Sequence, residues 1–374
     1  MKMTDTHTTA DVVFRFSRDF LLIMVVGLVG CTSGGDGGPA STFGGYVLLT
    51  EWYGGLVAKI DPATDQIVSR TAVGTSPQFI VADQARRLAY VSLLDDDKVV
   101  AIKTDTMETA DLTVAGLGRQ PIGLALASDG RTLLVATRGT DGEISSDDRL
   151  DVVTLDHAAW PPAASLRTSI FTGKHPITAV IDHTGRYAVV TVRNEPAILV
   201  VDLSTFETVT SIQGLPADAE PEGVDAHPSE NVMYVTLHGV STIEVIDLDD
   251  LSANTKHVPI LNSTVYPSQP STVKFTADGR RAYIQAQTAN RVLLFDTSDP
   301  RYPVQDTGVE LAVGNQPHFL VLLPGDRAYV ANTNNYELNG SLSVIENYSG
   351  TPSVSEPILP DLQGPLSFVY MAGT

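Results

Sequence analysis

The sequence predicts an all-β fold, a seven-bladed β-propeller with four antiparallel strands in each blade, and two features of the chain lead to this prediction. First, a proline precedes a short apolar run seven times along the 374 residues, at intervals of 44 to 55 residues. A repeat of roughly 40–50 residues built from short strands is typical of propellers. Second, the apolar runs are short, evenly spaced and without a sustained helical period, which favours strands. The seven prolines are Pro77, Pro121, Pro176, Pro221, Pro270, Pro317 and Pro365.

Each repeat has the same order of elements. An apolar run follows the proline and ends at a polar turn, for example Asp129-Gly130, whose residue types tolerate the positive φ of tight hairpins. A second run rich in Val, Tyr and Ala follows. A third run ends on an acid, as at Asp202, and a weaker fourth run, such as residues 205–212, leads to the next proline. Each repeat therefore predicts four strands.

The two ends of the repeat array predict how the ring closes. Residues 365–371 hold a proline and a single apolar run, whereas residues 45–75 begin with what looks like a second strand. We therefore expect the C-terminal strand to be the first strand of one shared blade and residues 45–75 to be its second, third and fourth strands. Such closure removes the exposed edges that an open sheet would leave.

The repeat resembles a known family. RAYVANTNN, at residues 327–335, and NVMYVTLHGVSTIEVIDL, at residues 231–248, resemble the YVTN-type β-propeller repeat. The chain is also similar to the seven-bladed lactonase-like propellers, and the resemblance covers essentially all of residues 44–371. It implies the propeller fold, and it makes lactone hydrolysis one of the activities to consider.

Residues 1–30 are predicted to be a bacterial lipoprotein signal peptide and not part of the fold. The apolar run at residues 21–30 is shorter than the about 20 residues that a membrane-spanning helix needs, and it suits the core of a signal peptide. Leu28-Val29-Gly30-Cys31 resembles the lipobox, in which the cysteine is lipidated after cleavage. An uncleaved signal anchor and a plain secretory signal are the alternatives.

The segment after Cys31 predicts where the protein is located. Residues 31–43 are rich in Gly and Ser, as in a flexible tether, and residues 44–374 form the propeller. By the sorting rule of Gram-negative lipoproteins, which this segment resembles, Thr32 after the cysteine implies the outer membrane. We therefore expect an extracytoplasmic, lipid-anchored protein that contacts the membrane through its lipid.

Composition excludes several classes of function. Cys31 is the only cysteine, which excludes disulfides, thiolate zinc clusters and covalently attached c-type haem. The formal net charge of −20 would repel nucleic acid, so nucleic acid is excluded as a partner. The partners left open are an envelope protein, a glycan and a small-molecule ligand. We expect the protein itself to be a monomer.

Propeller topology predicts where a site would form. The innermost strand begins just after each proline and the second strand returns antiparallel to it. Residues beside the prolines and at the ends of the second strands therefore share one mouth of the central channel. The candidate ligand-binding or catalytic residues at this mouth are Trp52, Gln120, Arg138, His175, Arg193, Glu220, Glu222, His238, Gln316, His318 and Asn332.

Two groups of side chains could hold a divalent metal ion, which is the one cofactor left open. His175, Glu222 and His318 combine imidazole and carboxylate, which suit zinc, copper or manganese. Loop carboxylates that could hold calcium are Asp95, Asp97, Asp141 and Asp147. Neither loop matches the EF-hand pattern. The lining of a wet channel and solvated acidic loops explain the same residues without any ligand.

Three functions remain open from the sequence, which contains no GxSxG, P-loop or HExxH motif. The first, which we favour, is an envelope-anchored scaffold that binds a ligand or protein at the channel mouth. The second is a lactonase-like hydrolase in which Glu222 or His175 activates water and Arg193 or Arg138 stabilises the oxyanion. The third is a redox accessory that relies on a bound metal or a partner.

Overall fold

The computed structural model describes residues 44–139, 144–194, 196–212, 214–252, 255–261, 268–334 and 339–373. All of these belong to the unit that begins at Ser41. The predicted signal peptide, the tether and Cys31 lie outside the described residues and stay predictions. Among the described residues, no helix has the length and apolar character that crossing a membrane requires.

The described residues form seven antiparallel sheets arranged as the blades of one propeller, so the predicted fold is confirmed. Each innermost strand begins at one of the seven prolines. Numbered from the blade that contains both chain ends, the innermost strands are Pro365–Ala372, Pro77–Asp83, Pro121–Leu126, Pro176–Ile181, Pro221–Ala226, Pro270–Phe275 and Pro317–Leu323. The second strands of blades 1 to 7 are Gly45–Glu51, Leu88–Leu93, Thr132–Arg138, Tyr187–Val192, Val232–Leu237, Arg281–Ala286 and Arg327–Asn332.

The outer half of each blade follows the same order. The third strands are Leu56–Asp61, Lys98–Lys103, Asp148–Asp156, Ala197–Asp202, Thr242–Asp247, Arg291–Asp296 and Gly340–Glu346. The fourth strands are Gln66–Ala72, Thr109–Leu112, Ala163–Phe171, Glu207–Ile212, Lys256–Pro259, Val304–Ala312 and, in blade 7, the two pieces Ser353–Val354 and Ile358–Leu362. Most fourth strands alternate between exposed and half-buried residues, because only one of their faces packs against the neighbouring blade.

The ring closes as the chain ends predict. The C-terminal strand of blade 1 pairs antiparallel with Gly45–Glu51, from Gly45 opposite Ala372 to Glu51 opposite Pro365. Blade 1 therefore combines one strand from the end of the chain with three from the start of the propeller. The closing strand pairs on one side with Gly45–Glu51, and its other edge faces the central channel, as in the other blades.

All seven blades have the same backbone arrangement where the innermost and second strands meet at the channel mouth. The residue before each proline has positive φ, from 47° at Glu220 to 69° at His175, and its carbonyl accepts a hydrogen bond from the residue that ends or follows the second strand. These seven N···O distances are 2.9 to 3.2 Å. Proline cannot continue the strand ladder as a donor, so the carbonyl before it makes the last contact between the two strands.

In blades 1, 2, 4 and 5, a hydroxyl group on the second strand holds the blade to the next innermost strand. The Thr191 hydroxyl donates to the carbonyl of Glu222 at 2.8 Å, and the Thr236 hydroxyl donates to the carbonyl of Ser271 at 2.8 Å. Thr50 and Ser92 make the same contact in blades 1 and 2. Buried hydrogen bonds of this kind satisfy carbonyls that the strand bulge after the proline leaves outside the ladder. They also fix the position of the strand that carries Glu222.

Candidate functional site

The central channel contains a cavity of about 650 Å³ that innermost strands of all seven blades line. Its mouth, where the innermost strands begin, carries polar and charged side chains. Deeper in the channel the lining is largely apolar, and the rings of Phe79 and Phe319 meet edge to face with centroids 5.1 Å apart. The cavity therefore combines a polar mouth with an apolar interior. Neither phenylalanine was among the residues that the sequence singled out.

Glu222 lies at the centre of a charged cluster at the mouth. The side chain is buried, with only 6% of the residue exposed. His318 Nε2 lies 3.2 Å from Glu222 Oε1, and Arg193 Nη1 and His238 Nε2 lie 3.5 and 3.9 Å from Oε2. Burial by itself would raise the pKa of Glu222. The hydrogen bond from His318 and the electrostatic interactions with His238, His318 and Arg193 outweigh burial and lower this pKa to about 2. Glu222 is therefore an ionised carboxylate near neutral pH.

Glu220 connects Arg193 and His238. Arg193 donates to Glu220 Oε2 from Nη2 at 2.5 Å and from Nε at 3.2 Å, and His238 Nδ1 lies 3.1 Å from the same oxygen. Burial would raise the pKa of Glu220, but the hydrogen bond and charge of Arg193, followed by those of His238, lower it. His238 Nε2 also lies 3.2 Å from Gln287 Oε1. Residues of blades 4 to 7 thus form one continuous polar network.

Arg138 and His175 form a second polar group at the mouth. Arg138 Nη1 lies 3.0 Å from His175 Nε2, and Arg138 Nε donates to Gln120 Oε1 at 3.1 Å. Asn194, which the sequence did not single out, places its Nδ2 2.8 Å from His175 Nδ1. The backbone N–H of His175 donates to Asp148 Oδ1 at 2.9 Å. Both ring nitrogens of His175 are thus engaged within this group.

The predicted metal site of His175, Glu222 and His318 is not assembled. Across the part of the chain that the structure describes, no group of three or more His, Cys, Asp or Glu residues could hold a metal ion. Glu222 and His318 do pair, but His175 contacts Arg138 and Asn194 instead. The Arg138 guanidinium and the Asn194 amide contact the two ring nitrogens of His175, the atoms through which histidine would bind a metal ion.

The acidic loops bind parts of the protein itself. Asp95 accepts a hydrogen bond from the Ser76 hydroxyl at 2.5 Å. Asp97 accepts one from the backbone N–H of Gln120 at 2.8 Å, and Asp147 lies 3.4 Å from Arg149. Asp141 is outside the described residues. The described carboxylates of the predicted calcium loops therefore stabilise turns next to the mouth.

Asn332 was predicted to lie at the channel mouth, but in blade 7 the mouth position is one residue further along the chain. It ends its strand opposite Pro317, and its amide donates to the hydroxyls of Ser341 and Ser343 at 3.1 and 3.0 Å inside the blade. Thr333 takes the mouth position, because its N–H bonds to the carbonyl of Gln316 at 3.0 Å. Strand residues alternate between faces, so an error of one residue reverses the direction of a side chain.

Several buried polar atoms around the mouth have no hydrogen-bond partner among the described residues. They include an acceptor, Glu222 Oε2, and two amide donors, Nε2 of Gln78 and Nε2 of Gln287. Gln316 Oε1 belongs to the same group. Buried polar atoms are nearly always hydrogen-bonded in folded proteins. Further atoms of this kind, among them the hydroxyl of Tyr90 and Nε2 of Gln285, lie away from the mouth.

The fold and the site place the chain in a broad class, the seven-bladed propellers with a polar channel mouth. No family model and no curated protein matches the sequence. Solved structures do resemble it. A putative 6-phosphogluconolactonase from Bacteroides uniformis has a TM-score of 0.70 and 16% identity, covering 88% of this chain and 100% of that one.

Two further solved structures have the same architecture. The periplasmic gluconolactonase of Pseudomonas aeruginosa has a TM-score of 0.66 and 15% identity, covering 88% of this chain and 99% of that one. Hydrazine synthase of Kuenenia stuttgartiensis has a TM-score of 0.68 and 17% identity, covering 82% of this chain and 93% of that one. Similarity at this level of identity shows a shared fold, which proteins of unrelated activity also share.

Proposed function

We propose that the protein binds a small polyhydroxylated ligand, a sugar or a sugar acid, at the mouth of its central channel. The observation that carries the proposal is the set of buried polar atoms without partners in the described chain, which contains both an acceptor and donors. A hydroxyl group is the ligand chemistry that can donate to Glu222 and accept from the amide of Gln78. Carboxylates and guanidinium groups are balanced at the mouth, so hydrogen bonds rather than net charge would select the ligand.

The low pKa of Glu222 bears on how such a ligand is held. An ionised carboxylate accepts hydrogen bonds from hydroxyl groups about twice as strongly as a neutral acceptor does. The same property makes Glu222 a weak general base, because basicity falls with pKa. This favours a binding role for Glu222 over the water-activating role that the sequence suggested for it.

Lactone hydrolysis is the second candidate, because Glu222 and His318 form a carboxylate–imidazole pair with Arg193 beside it. In this reaction Glu222 would orient His318, and His318 would take a proton from the water that adds to the carbonyl carbon. Arg193 would stabilise the negative charge on the carbonyl oxygen. The ring oxygen would then leave with the proton, and the lactone would become a hydroxy acid. Two of the similar structures bear lactonase names.

Replacing Glu222 by glutamine is expected to weaken ligand binding by about 10- to 100-fold, the equivalent of one charge-assisted hydrogen bond. Isothermal titration with D-glucose, D-gluconate and their common disaccharides measures the binding, and a pH-stat with glucono-lactone measures any turnover. Glu244→Gln is the matched control. Glu244 is a fully buried glutamate of the same blade that pairs with His257 on the outer strand, away from the mouth. Wild-type affinity in the Glu222 variant would refute the proposed site.

We also propose that the protein is located at the outer membrane, because the segment that ends at Cys31 resembles a lipobox. Cells that make the protein should incorporate radiolabelled palmitate into it, and the label should fractionate with the outer membrane. Cys31→Ala is expected to abolish the label and remove the protein from the outer-membrane fraction. The Cys31→Ser variant serves as a second control for the loss of the thiol. Equal labelling of wild type and variants would contradict lipidation at this residue.

A further inference from the structure

An aromatic surface lies beside the channel mouth on blade 1. Trp52 and Tyr53 directly follow the second strand, and their rings stack with centroids 5.4 Å apart and planes inclined by 15°. Tyr53 is 49% exposed, so its ring is accessible to a ligand. The two backbone N–H groups donate to the carbonyls of Gly364 and Gln363 at 2.9 and 3.1 Å, which holds the loop in place. The surface is therefore anchored through its backbone.

A single glycine makes room for this surface. The residues before the prolines carry side chains in the other six blades, but blade 1 has Gly364 there, at φ +67°. A Cβ atom at Gly364 would lie 2.8 Å from Tyr53 Cδ2, too close for an ordinary contact. The Tyr53 ring thus occupies the place where the other blades have a side chain. The departure of blade 1 from its repeat creates the aromatic surface.

The surface borders a second cavity of about 570 Å³. Trp52 lines both this cavity and the central channel. The lining of the second cavity also includes Ser76, Asp95 and three glycines. The exposed carboxylate of Asp95 binds the Ser76 hydroxyl through one oxygen. No cationic side chain lines this cavity among the described residues.

We infer that the Trp52–Tyr53 surface is a carbohydrate subsite that extends the channel-mouth site, so that the ligand is a saccharide of two or more units. This inference rests on the proposed binding function. The flat face of an aromatic ring packs against the C–H face of a pyranose, while a neighbouring carboxylate accepts hydrogen bonds from its hydroxyls. Asp95 is placed to supply that carboxylate. Trp52 lies between the two cavities, where it would contact both sugar units.

The geometry favours a sugar over a cation at this surface. Ammonium groups bind over ring faces and are held best where several inclined rings form a cage. Trp52 and Tyr53 stack nearly parallel, so only the outer face of each ring is available to a ligand, and the two rings form no enclosure. A single exposed ring face suits the C–H face of a pyranose. A cationic ligand is one of the outcomes that the experiment separates.

The test compares monosaccharides with disaccharides that contain them, using glucose, gluconate, cellobiose, maltose and cellobionate in isothermal titrations. The extended sugar that fits is expected to bind about tenfold more tightly than its monosaccharide. Tyr53→Ala should remove this gain and leave monosaccharide affinity unchanged, whereas Tyr53→Phe should keep it because the ring remains. Tyr302→Ala is the matched control, since Tyr302 is another exposed tyrosine, at 64%, on the outside of blade 6.

The outcomes separate this inference from the proposed function. If Tyr53→Ala keeps the disaccharide gain while Glu222→Gln loses all binding, the subsite is wrong and the channel site stands. If no disaccharide binds more tightly than its monosaccharide, the subsite is overturned. Tetramethylammonium binding that Tyr53→Ala abolishes, without saccharide binding, would also overturn it and identify a cation site. Loss of only the gain in Tyr53→Ala, with retention in Tyr53→Phe, supports it.

Discussion

A chain that lacks residues 365–374 is expected to lose most of its stability, more than about 5 kcal/mol, which is the whole free energy of unfolding of many domains. The deletion removes the innermost strand of blade 1, which pairs with Gly45–Glu51 and buries Leu366 and Met371. It also removes the neighbour against which the innermost strands of blades 2 and 7 pack. Urea titration followed by circular dichroism measures the loss.

A circular permutant shows whether the loss of stability comes from the missing strand or from the altered chain end. Joining the C-terminus to residue 44 and opening the exposed hairpin between Ser204 and Thr205 keeps every strand of the ring. Exposed hairpin turns tolerate such new ends. The permutant should retain a cooperative transition close to that of the parent protein. Unfolding of the shortened chain at the same urea concentration as the full one would contradict a stabilising role for the closing strand.

Replacing Arg70 by methionine is expected to destabilise the protein by about 1–3 kcal/mol, between the values for exposed and fully buried ion pairs, because 37% of the Arg70 side chain is exposed. The Glu51 side chain has 0% exposure, and Arg70 binds both of its oxygens, at 2.7 and 3.3 Å. The backbone N–H of Gln363 donates to the same carboxylate at 3.1 Å. Without the guanidinium, a charged carboxylate stays buried at the ring-closing blade.

A double variant tests whether the effect comes from the unpaired charge. Glu51 lies opposite the blade proline, and Leu93 and Leu237 take this position in blades 2 and 5. Glu51→Leu combined with Arg70→Met should therefore recover most of the stability. Arg186→Met, which breaks an exposed pair with Asp202 at 3.6 Å, should change stability by less than about 1 kcal/mol. Equal losses in all three variants would contradict the explanation.

Much of the fold could be predicted from the sequence because its signals are local. Each proline is missing a donor and begins an innermost strand, and the residue before it takes positive φ in every blade. The positions of the prolines therefore predicted the number of blades, the location of the mouth and the blade that both chain ends share. Placing Glu222, His238 and His318 at one mouth followed from the same topology.

The pairing of side chains at the mouth could not be predicted in this way. His318 reaches Glu222 from two blades away, while His175 turns to Arg138 and Asn194. These partners are far apart along the chain, and the packing of whole blades sets the distances between them. The predicted and observed positions of Asn332 differ for a local reason. A shift of one residue along a strand reverses the face to which a side chain points.

The sequence by itself determined the number of blades and the closure of the ring, because proline, turn residues and alternation act within a few positions of the backbone. Only the tertiary structure decided which ionisable side chains lie close together and how they shift one another's pKa values. Glu222 and Glu244 are both buried glutamates of blade 5, yet Arg193 and the imidazoles of His238 and His318 lower the pKa of Glu222, while burial raises that of Glu244 against the opposing effect of His257. Burial and the charges of neighbouring blades depend on how the ring packs, and no local pattern in the chain records them.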